Sequence, residues 1–310
     1  MPWFSPPRAR TALRVGSALM GLGVTGWLLA TLWPEPDRVA QGAPLNADQP
    51  VTLAPFPNAP VTVLVIGLDT DRLGAPTNQA APKGPANADA LLMLRISSEE
   101  PLQVLQIPTE LGVQLPGDQD PGSLAQLWRR GGVNLVRDAI RDIVGLEEGA
   151  PQRYVVMPRS ALRQLVDGLG NVEVVLGQSY QRKDKTQGYS VNLQAGRQLL
   201  NGAQAEQLVR HLPDPKAVSQ RRQRQDMVVA AVIEQVKGPS GIGVIPALVN
   251  QLDAEVETNL SRTEQLSLAA AIIASPDPVT TSRLPLAERA GEQTLRQIKP
   301  NASRPLWPQL

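Results

Sequence analysis

Cysteine is absent from all 310 residues, which excludes disulfides, thiolate metal sites and a cysteine nucleophile. Histidine occurs once, at position 211, so no imidazole cluster can hold a metal. Aromatic residues are scarce, with five Trp, three Tyr and two Phe, and stacking platforms for nucleic-acid bases are correspondingly few. The chain also lacks an excess of either charge: 30 Lys and Arg face 29 Asp and Glu. There is therefore no global electrostatic footprint for nucleic acid, and any anion site must be built locally. Neither a G-x-S-x-G elbow nor a P-loop occurs, so serine-hydrolase and P-loop nucleotide-triphosphatase chemistry lack their signatures.

What the chain does have is one long uncharged run. Val15 to Trp33 reads VGSALMGLGVTGWLLATLW and follows Arg8, Arg10 and Arg14. At about 1.5 Å per residue such a run approaches the roughly 30 Å hydrocarbon core of a bilayer. The arginines set residues 1–14 in the cytoplasm, residues 15–33 as a transmembrane helix, and everything after it outside; Trp27 and Trp33 suit the far interface. A cleaved signal peptide is the rival reading, weakened by the length of the run and the lack of an A-x-A site shortly after it. Residues 34–60, rich in Pro, Ala, Asn and Asp, read as an extended linker.

The folded part is expected over 61–275. VTVLVIGL (61–68) is a β-branched run suited to a strand covered on both faces, and ALLMLRI (90–96) and QVLQIP (103–108) follow it as strands. SLAQLWRRGGVNLVRDAIRDIVGL reads as one or two helices broken or joined at Gly131-Gly132. RYVVMP and VEVVL read as strands on either side of the helix SALRQLVDGLG. Asn201 with Gln204, and Ser261 with Glu264, have capping-box spacing ahead of two further helices. This mixture predicts an α/β fold, a three-layer α-β-α sandwich with a central mixed sheet. The proline-bearing segment 276–310 is expected to be an irregular extension.

Chemistry-bearing residues gather in two places. GLDTDR puts Asp69, Asp71 and Arg72 just beyond the first strand, at the edge where α/β sheets commonly bind ligands, and Asp89 directly precedes the second strand. Two carboxylates from neighbouring strand ends suit Mg²⁺, which takes oxygen ligands and shares them with phosphate; the same residues also suit turn caps left in solvent. The second place is QRRQRQ (220–225). On a helix from Ser219 to Lys237, Val228, Val232 and Val236 form an apolar stripe whose extension meets Arg221 and Gln225, with Arg222 and Arg224 on either side. An arginine on such a stripe needs an aspartate or a ligand, because an unpaired buried charge is costly. Guanidiniums at Arg210, Arg221 and Arg224 suit the oxygens of a diphosphate. Asp214 and Asp226 balance the stretch and no aromatics interleave it, so nucleic acid is not the expected partner. His211 reads as a surface or helix-end residue.

Taken in order, VLVIGLDTDR, NADALLMLRI, LQIPTELGVQLPG, VDGLGNVEVVL, LQAGRQLLNGAQAEQLVR and RRQRQ resemble segments of the LytR-CpsA-Psr family, over roughly Val61 to Val236. The resemblance implies an envelope-facing domain anchored in the plasma membrane. It would hold a polyprenyl tail in an apolar pocket and bind its pyrophosphate with arginines and Mg²⁺. The implied reaction moves a glycopolymer phosphate from that carrier to a peptidoglycan acceptor. Asp69 and Asp89 then match the metal-associated acids and, with Arg210, the catalytic group. Arg210, Arg221 and Gln225 match pyrophosphate-site positions, and Arg224 falls inside the matching segment. Asn87, Thr109 and Leu212 stand where arginines are usual, and Glu110 and Ala90 depart from an aspartate and a threonine. The alternative that these departures raise is a member without turnover that holds polyprenyl lipid or scaffolds the envelope.

Overall fold

The β-branched run forms β1 (Val61–Leu68), and its alternation serves two cores at once. Leu64, Ile66 and Leu68 enter one hydrophobic cluster, while Val61, Val63 and Val65 belong to another. The computed structural model describes residues 53–75, 84–185, 188–212, 214, 218–288 and 294–308. The expected membrane helix over 15–33 and most of the expected linker lie outside those residues. Among the described residues, no single helix is long and apolar enough to cross a membrane.

Beyond β1, β2 (Ala88–Ile96) and β3 (Gln103–Ile107) continue the sheet antiparallel. The two-residue strands β4 (Gly112–Val113) and β5 (Gly122–Ser123) pair with each other, and a short 3₁₀ turn leads into α1 (Leu127–Val144). Gly131-Gly132 joins two helical stretches across a kink: Gly132 has φ 58° and ψ −151°, a region that favours glycine. β6 (Arg153–Met157) returns parallel to β1 and leads into α2 (Arg159–Gly168). Four strands follow, β7 (Val172–Leu176), β8 (Tyr180–Asp184), β9 (Tyr189–Leu193) and β10 (Gly196–Leu200), paired antiparallel as β7 with β10 and β8 with β9. The remaining elements are α3 (Gly202–Arg210), α4 (Val218–Lys237), α5 (Gly241–Leu252), β11 (Glu257–Thr258), α6 (Arg262–Ala274) and β12 (Thr280–Arg283). Both expected capping boxes are present, with Asn201 and Gln204 starting α3 and Ser261 and Glu264 starting α6.

The six-stranded sheet runs β11-β6-β1-β2-β3-β12 and mixes parallel and antiparallel pairs. Val136, Ile140 and Val144 of α1 cover one face, against Leu64, Ile66, Leu91 and Met93. Leu268 and Ala271 of α6, with Ile233 of α4, cover the other, against Val63, Ile96 and Val104. Helices on both faces of a mixed sheet give the expected sandwich. A third cluster joins Val172, Val174, Tyr180, Val191 and Leu193 to Leu208 of α3 and Val228 and Ala231 of α4, forming a lobe beside the sheet.

The segment after Ser275 corrects the expectation of an irregular extension. β12 adds a parallel strand beside β3, and Leu284, Leu306 and the fully buried Trp307 join the core under α1. Leu306 N–H donates to the Val144 carbonyl at 2.8 Å. Prolines at 285, 300, 305 and 308 suppress periodicity without preventing isolated apolar anchors from docking.

Candidate active site

The site begins with strand pairing. β1 ends where β2 starts, with Leu68 opposite Ala88 across a register shift, so the residues that follow and precede them share one edge. Asp69 N–H donates to the Asn87 carbonyl at 3.1 Å, and Asn87 returns its own N–H to Asp69 Oδ1 at 2.8 Å and its Nδ2 to Oδ2 at 3.2 Å. Burial raises the Asp69 pKa, outweighing these Asn87 bonds, which lower it; the charge of Asp89 adds to the rise and Arg159 opposes it. Asp89 is paired with Arg221 of α4 at 2.9 Å.

These residues surround a cavity of about 440 Å³. Asp69, Asp89, Arg210, Arg221 and Gln225, all expected at the site, line it together. Arg129, which sequence could not place, lines it too, as do Asn87, Ala90 and Thr109. Of the other departures, Glu110 is ion-paired with Arg222 and the Leu212 carbonyl accepts from Arg182 at 2.9 Å. Following α4, the cavity shares Asp89, Arg221, Gln225 and Val229 with a constriction of about 40 Å³. That constriction shares Gln106, Asp226 and Val229 with a second cavity of about 660 Å³, where Val104, Met227, Ala230, Ile233 and Val279 supply apolar wall.

Arg224 corrects the expected phase of α4. The buried positions are Arg224, Val228 and Ala231, at helical spacing i, i+4, i+7. Arg224 is 3% exposed and does not line the 440 Å³ cavity. Its Nε donates to the Leu208 carbonyl at 3.2 Å, a second nitrogen donates to the His211 carbonyl, and its guanidinium lies over the Tyr180 ring at 5.2 Å. It therefore serves carbonyls at the end of α3, where the Leu208 carbonyl otherwise receives only the long 3.4 Å bond from His211 N–H. His211 caps α3 as expected of a helix-end residue but is buried, its ring edge-on to Tyr180 at 5.4 Å. Burial, with Arg224 and Arg182 nearby, pushes its pKa down.

Sequence reasoning missed an acid and two arginines. Glu206 is 6% exposed; its Oε1 accepts from Arg210 at 2.8 Å and Arg159 at 3.0 Å, its Oε2 from Arg163. Arg163 also reaches Asp71 at 2.7 Å. Gly202 permits this convergence, because a Cβ there would lie 2.2 Å from the Arg163 carbonyl oxygen; α3 can approach α2 this closely only at glycine. The i,i+4 spacing of Glu206 and Arg210 was the available signal. Arg159 Nε and Arg210 Nη2 are buried without a partner among the described residues. Four arginines (129, 159, 210 and 221) and three carboxylates (69, 89 and 206) line the cavity, a net of +1 that suits an anion.

The carboxylates also fit a hard cation. Asp69 and Asp89 line one cavity, and Asn87 leaves lone pairs on both Asp69 oxygens. Burial disfavours the Asp69 charge, which a cation would offset. Mg²⁺ needs only one or two protein carboxylates when phosphate and water complete its shell. Among the described residues, no group of three or more His, Asp or Glu forms an all-protein metal site.

Fold and site together define an α/β domain with an acid-and-arginine cleft at its strand ends, next to a crease along α4 that is partly apolar and also lined by Asp226, Lys237, Asp277 and Arg283. The LytR_cpsA_psr family model matches residues 37–303, and the chain belongs to that family. Two curated relatives from Bacillus subtilis (strain 168) are polyisoprenyl-teichoic acid–peptidoglycan teichoic acid transferases. TagV is 23% identical over 187 residues, covering 58% of this chain and 47% of TagV; TagT is 29% identical over 216 residues, covering 67% and 62%. The chain thus spans less than two thirds of either relative's length. Among solved structures, B. subtilis TagV superposes with a TM-score of 0.63 at 18% identity, over 81% of this chain and 94% of that one. TagT bound to LIIa-WTA superposes with a TM-score of 0.55 at 22% identity, over 78% and 84%.

Proposed function

We propose that this chain is a membrane-anchored phosphotransferase that takes a glycopolymer from a polyprenyl-pyrophosphate carrier and attaches it to peptidoglycan. The observation that carries the reading is the convergence of Asp69, Asp89, Arg210, Arg221 and Gln225 on one cavity, beside a partly apolar crease along α4. In this reading the diphosphate occupies the charged cavity and part of the prenyl tail follows α4. The naming of its relatives as teichoic acid transferases and the TagT complex support the same substrate class. Residues 15–33 anchor the chain, with residues 1–14 in the cytoplasm and the domain over 61–275 outside. This orientation brings the domain to the leaflet and wall where such substrates are found.

Asp69 and Asp89 hold Mg²⁺, which supplies charge neutralisation on phosphate oxygens when bound. Arg210 and Arg221 hold the diphosphate and stabilise charge on the departing phosphate. To engage it, Arg221 exchanges part of its pairing with Asp89 for phosphate oxygens. The acceptor hydroxyl oxygen forms a bond to the glycan-side phosphorus as the bond from that phosphorus to the bridging oxygen breaks. The products are glycan-modified wall, polyprenyl phosphate and a proton.

One observation favours a second reading, lipid holding without turnover. Asp89 and Arg221 neutralise each other, and Asn87, Thr109 and Leu212 provide no guanidinium. Mass spectrometry of lipid retained by the detergent-purified chain, followed by incubation with polyprenyl pyrophosphate and Mg²⁺, separates the two. Retained polyprenyl lipid and Mg²⁺-dependent release of phosphate, lost in Asp89→Ala, are expected. Retention without release favours the second reading, and no retained polyprenyl species counts against both.

A further inference from the structure

Two residues on the cavity wall, Arg159 and Glu206, have no part in the mechanism above. Arg159 opens α2, and its backbone N–H donates to the Thr70 carbonyl at 2.9 Å. The loop that carries Asp69 is thereby tied to a residue whose side chain lines the same cavity. Arg159 and Arg210 share one oxygen of Glu206, at 3.0 and 2.8 Å, which holds the two guanidiniums side by side. A closed structural ion pair would use up its donors, but Arg159 Nε and Arg210 Nη2 are enclosed without a partner among the described residues, and a small turn of either guanidinium brings them toward the cavity that both residues line. The second oxygen of Glu206 is taken by Arg163, which Asp71 also engages, so two carboxylates serve three cations. Adjacent like charges and unused donors beside a cavity are unfavourable until an anion with several oxygens joins them.

We propose that Arg159 is a further phosphate-binding residue, forming with Arg210 a paired guanidinium clamp for the diphosphate, and that Glu206 is the positioning residue that sets the pair. The inference rests on reading the cavity as a pyrophosphate site. Arg159 restores positive charge in a cavity where Asn87 and Thr109 supply none. Glu206 acts through the arginines and touches no phosphate itself.

The test is calorimetric titration of the detergent-solubilised chain, in Mg²⁺, with geranylgeranyl pyrophosphate and with geranylgeranyl monophosphate. Arg159→Gln should weaken pyrophosphate binding about tenfold or more and monophosphate binding much less, so the ratio of the two affinities falls. Arg159→Lys should recover part of that ratio, because it keeps the charge and loses the fork. Glu206→Gln should lower the ratio in the same direction. A general loss of packing would weaken both probes alike and leave the ratio at the wild-type value. If Arg221→Gln lowers the ratio while Arg159→Gln and Glu206→Gln leave it unchanged, the clamp is overturned and the pyrophosphate reading stands. If Arg159→Gln does not fold, a wild-type ratio in Arg159→Lys overturns the clamp. A wild-type chain with no preference for pyrophosphate overturns the clamp together with the reading beneath it.

Discussion

Trp307→Ala removes the largest fully buried side chain among the described residues, one that belongs to a segment expected from sequence to be an irregular extension. The indole is 0% exposed and shares a cluster with Val136, Ile140 and Val144 of α1 and Leu64 and Ile66 of β1. Truncating such a residue costs about 3–5 kcal/mol in transfer and cavity terms. For a domain of this size, each kcal/mol moves the melting temperature by roughly 2–4 °C, so a fall of roughly 6–20 °C is expected in differential scanning fluorimetry. Trp307→Phe should cost less than half as much, since it retains most of the volume and discards an Nε1 that has no partner among the described residues. A chain shortened to end at Ser303, where the family match stops, also lacks Leu306 and should melt at least as low as the alanine variant. Melting of Trp307→Ala within about 2 °C of wild type would refute the claim that this segment completes the core.

Three further outcomes follow from the site. Asp69 has a folded pKa raised by burial, so its ionisation costs stability as pH rises through that value. Asp69→Asn should therefore melt higher than wild type at neutral pH without Mg²⁺, with the gap closing below about pH 3.8, and should gain nothing from added Mg²⁺; a lower melting temperature at neutral pH contradicts this. His211 has a depressed pKa, so its contribution is present above about 6.5 and is lost as pH falls through the folded value. His211→Phe keeps the ring contact with Tyr180 and should flatten the acid side of the melting-temperature profile; an unchanged slope would sink the assignment. Gly202→Ala places a Cβ against the Arg163 carbonyl and must push α3 off α2. The expected cost is about 1–3 kcal/mol in denaturant titration, with prenyl-pyrophosphate affinity falling because Glu206 and Arg210 move with α3; unchanged stability and affinity would contradict it.

Several elements were legible because local chemistry and tertiary context agree. The β-branched run is β1, the two capping boxes open α3 and α6, and Asp69 and Asp89 meet because a strand end and a strand start coincide. Arg221 and Gln225 line the same cavity as these two acids. The phase of α4 was less legible, because its buried stripe includes an arginine that a hydrophobic projection treats as surface. β8 and β9 carry polar residues on their open faces, Gln181 and Lys183 on one and Ser190 and Asn192 on the other, and neither has the apolar run that betrays β1. Glu206 and Arg159 lie 47 positions apart, and only the packing of α3 against α2 brings them together. Trp307 was hidden for a related reason: one isolated anchor among prolines has no period to detect.

The most direct measurement follows labelled glycan from a polyprenyl-pyrophosphate carrier to insoluble peptidoglycan, with the purified full-length chain and Mg²⁺. Wild type should transfer label and release polyprenyl phosphate in equal amounts, Asp89→Ala should do neither, and Arg221→Ala should lose at least about tenfold in rate, the equivalent of one charge-assisted hydrogen bond. Equal and negligible transfer by all three chains, with the lipid carrier still bound, would contradict the catalytic reading.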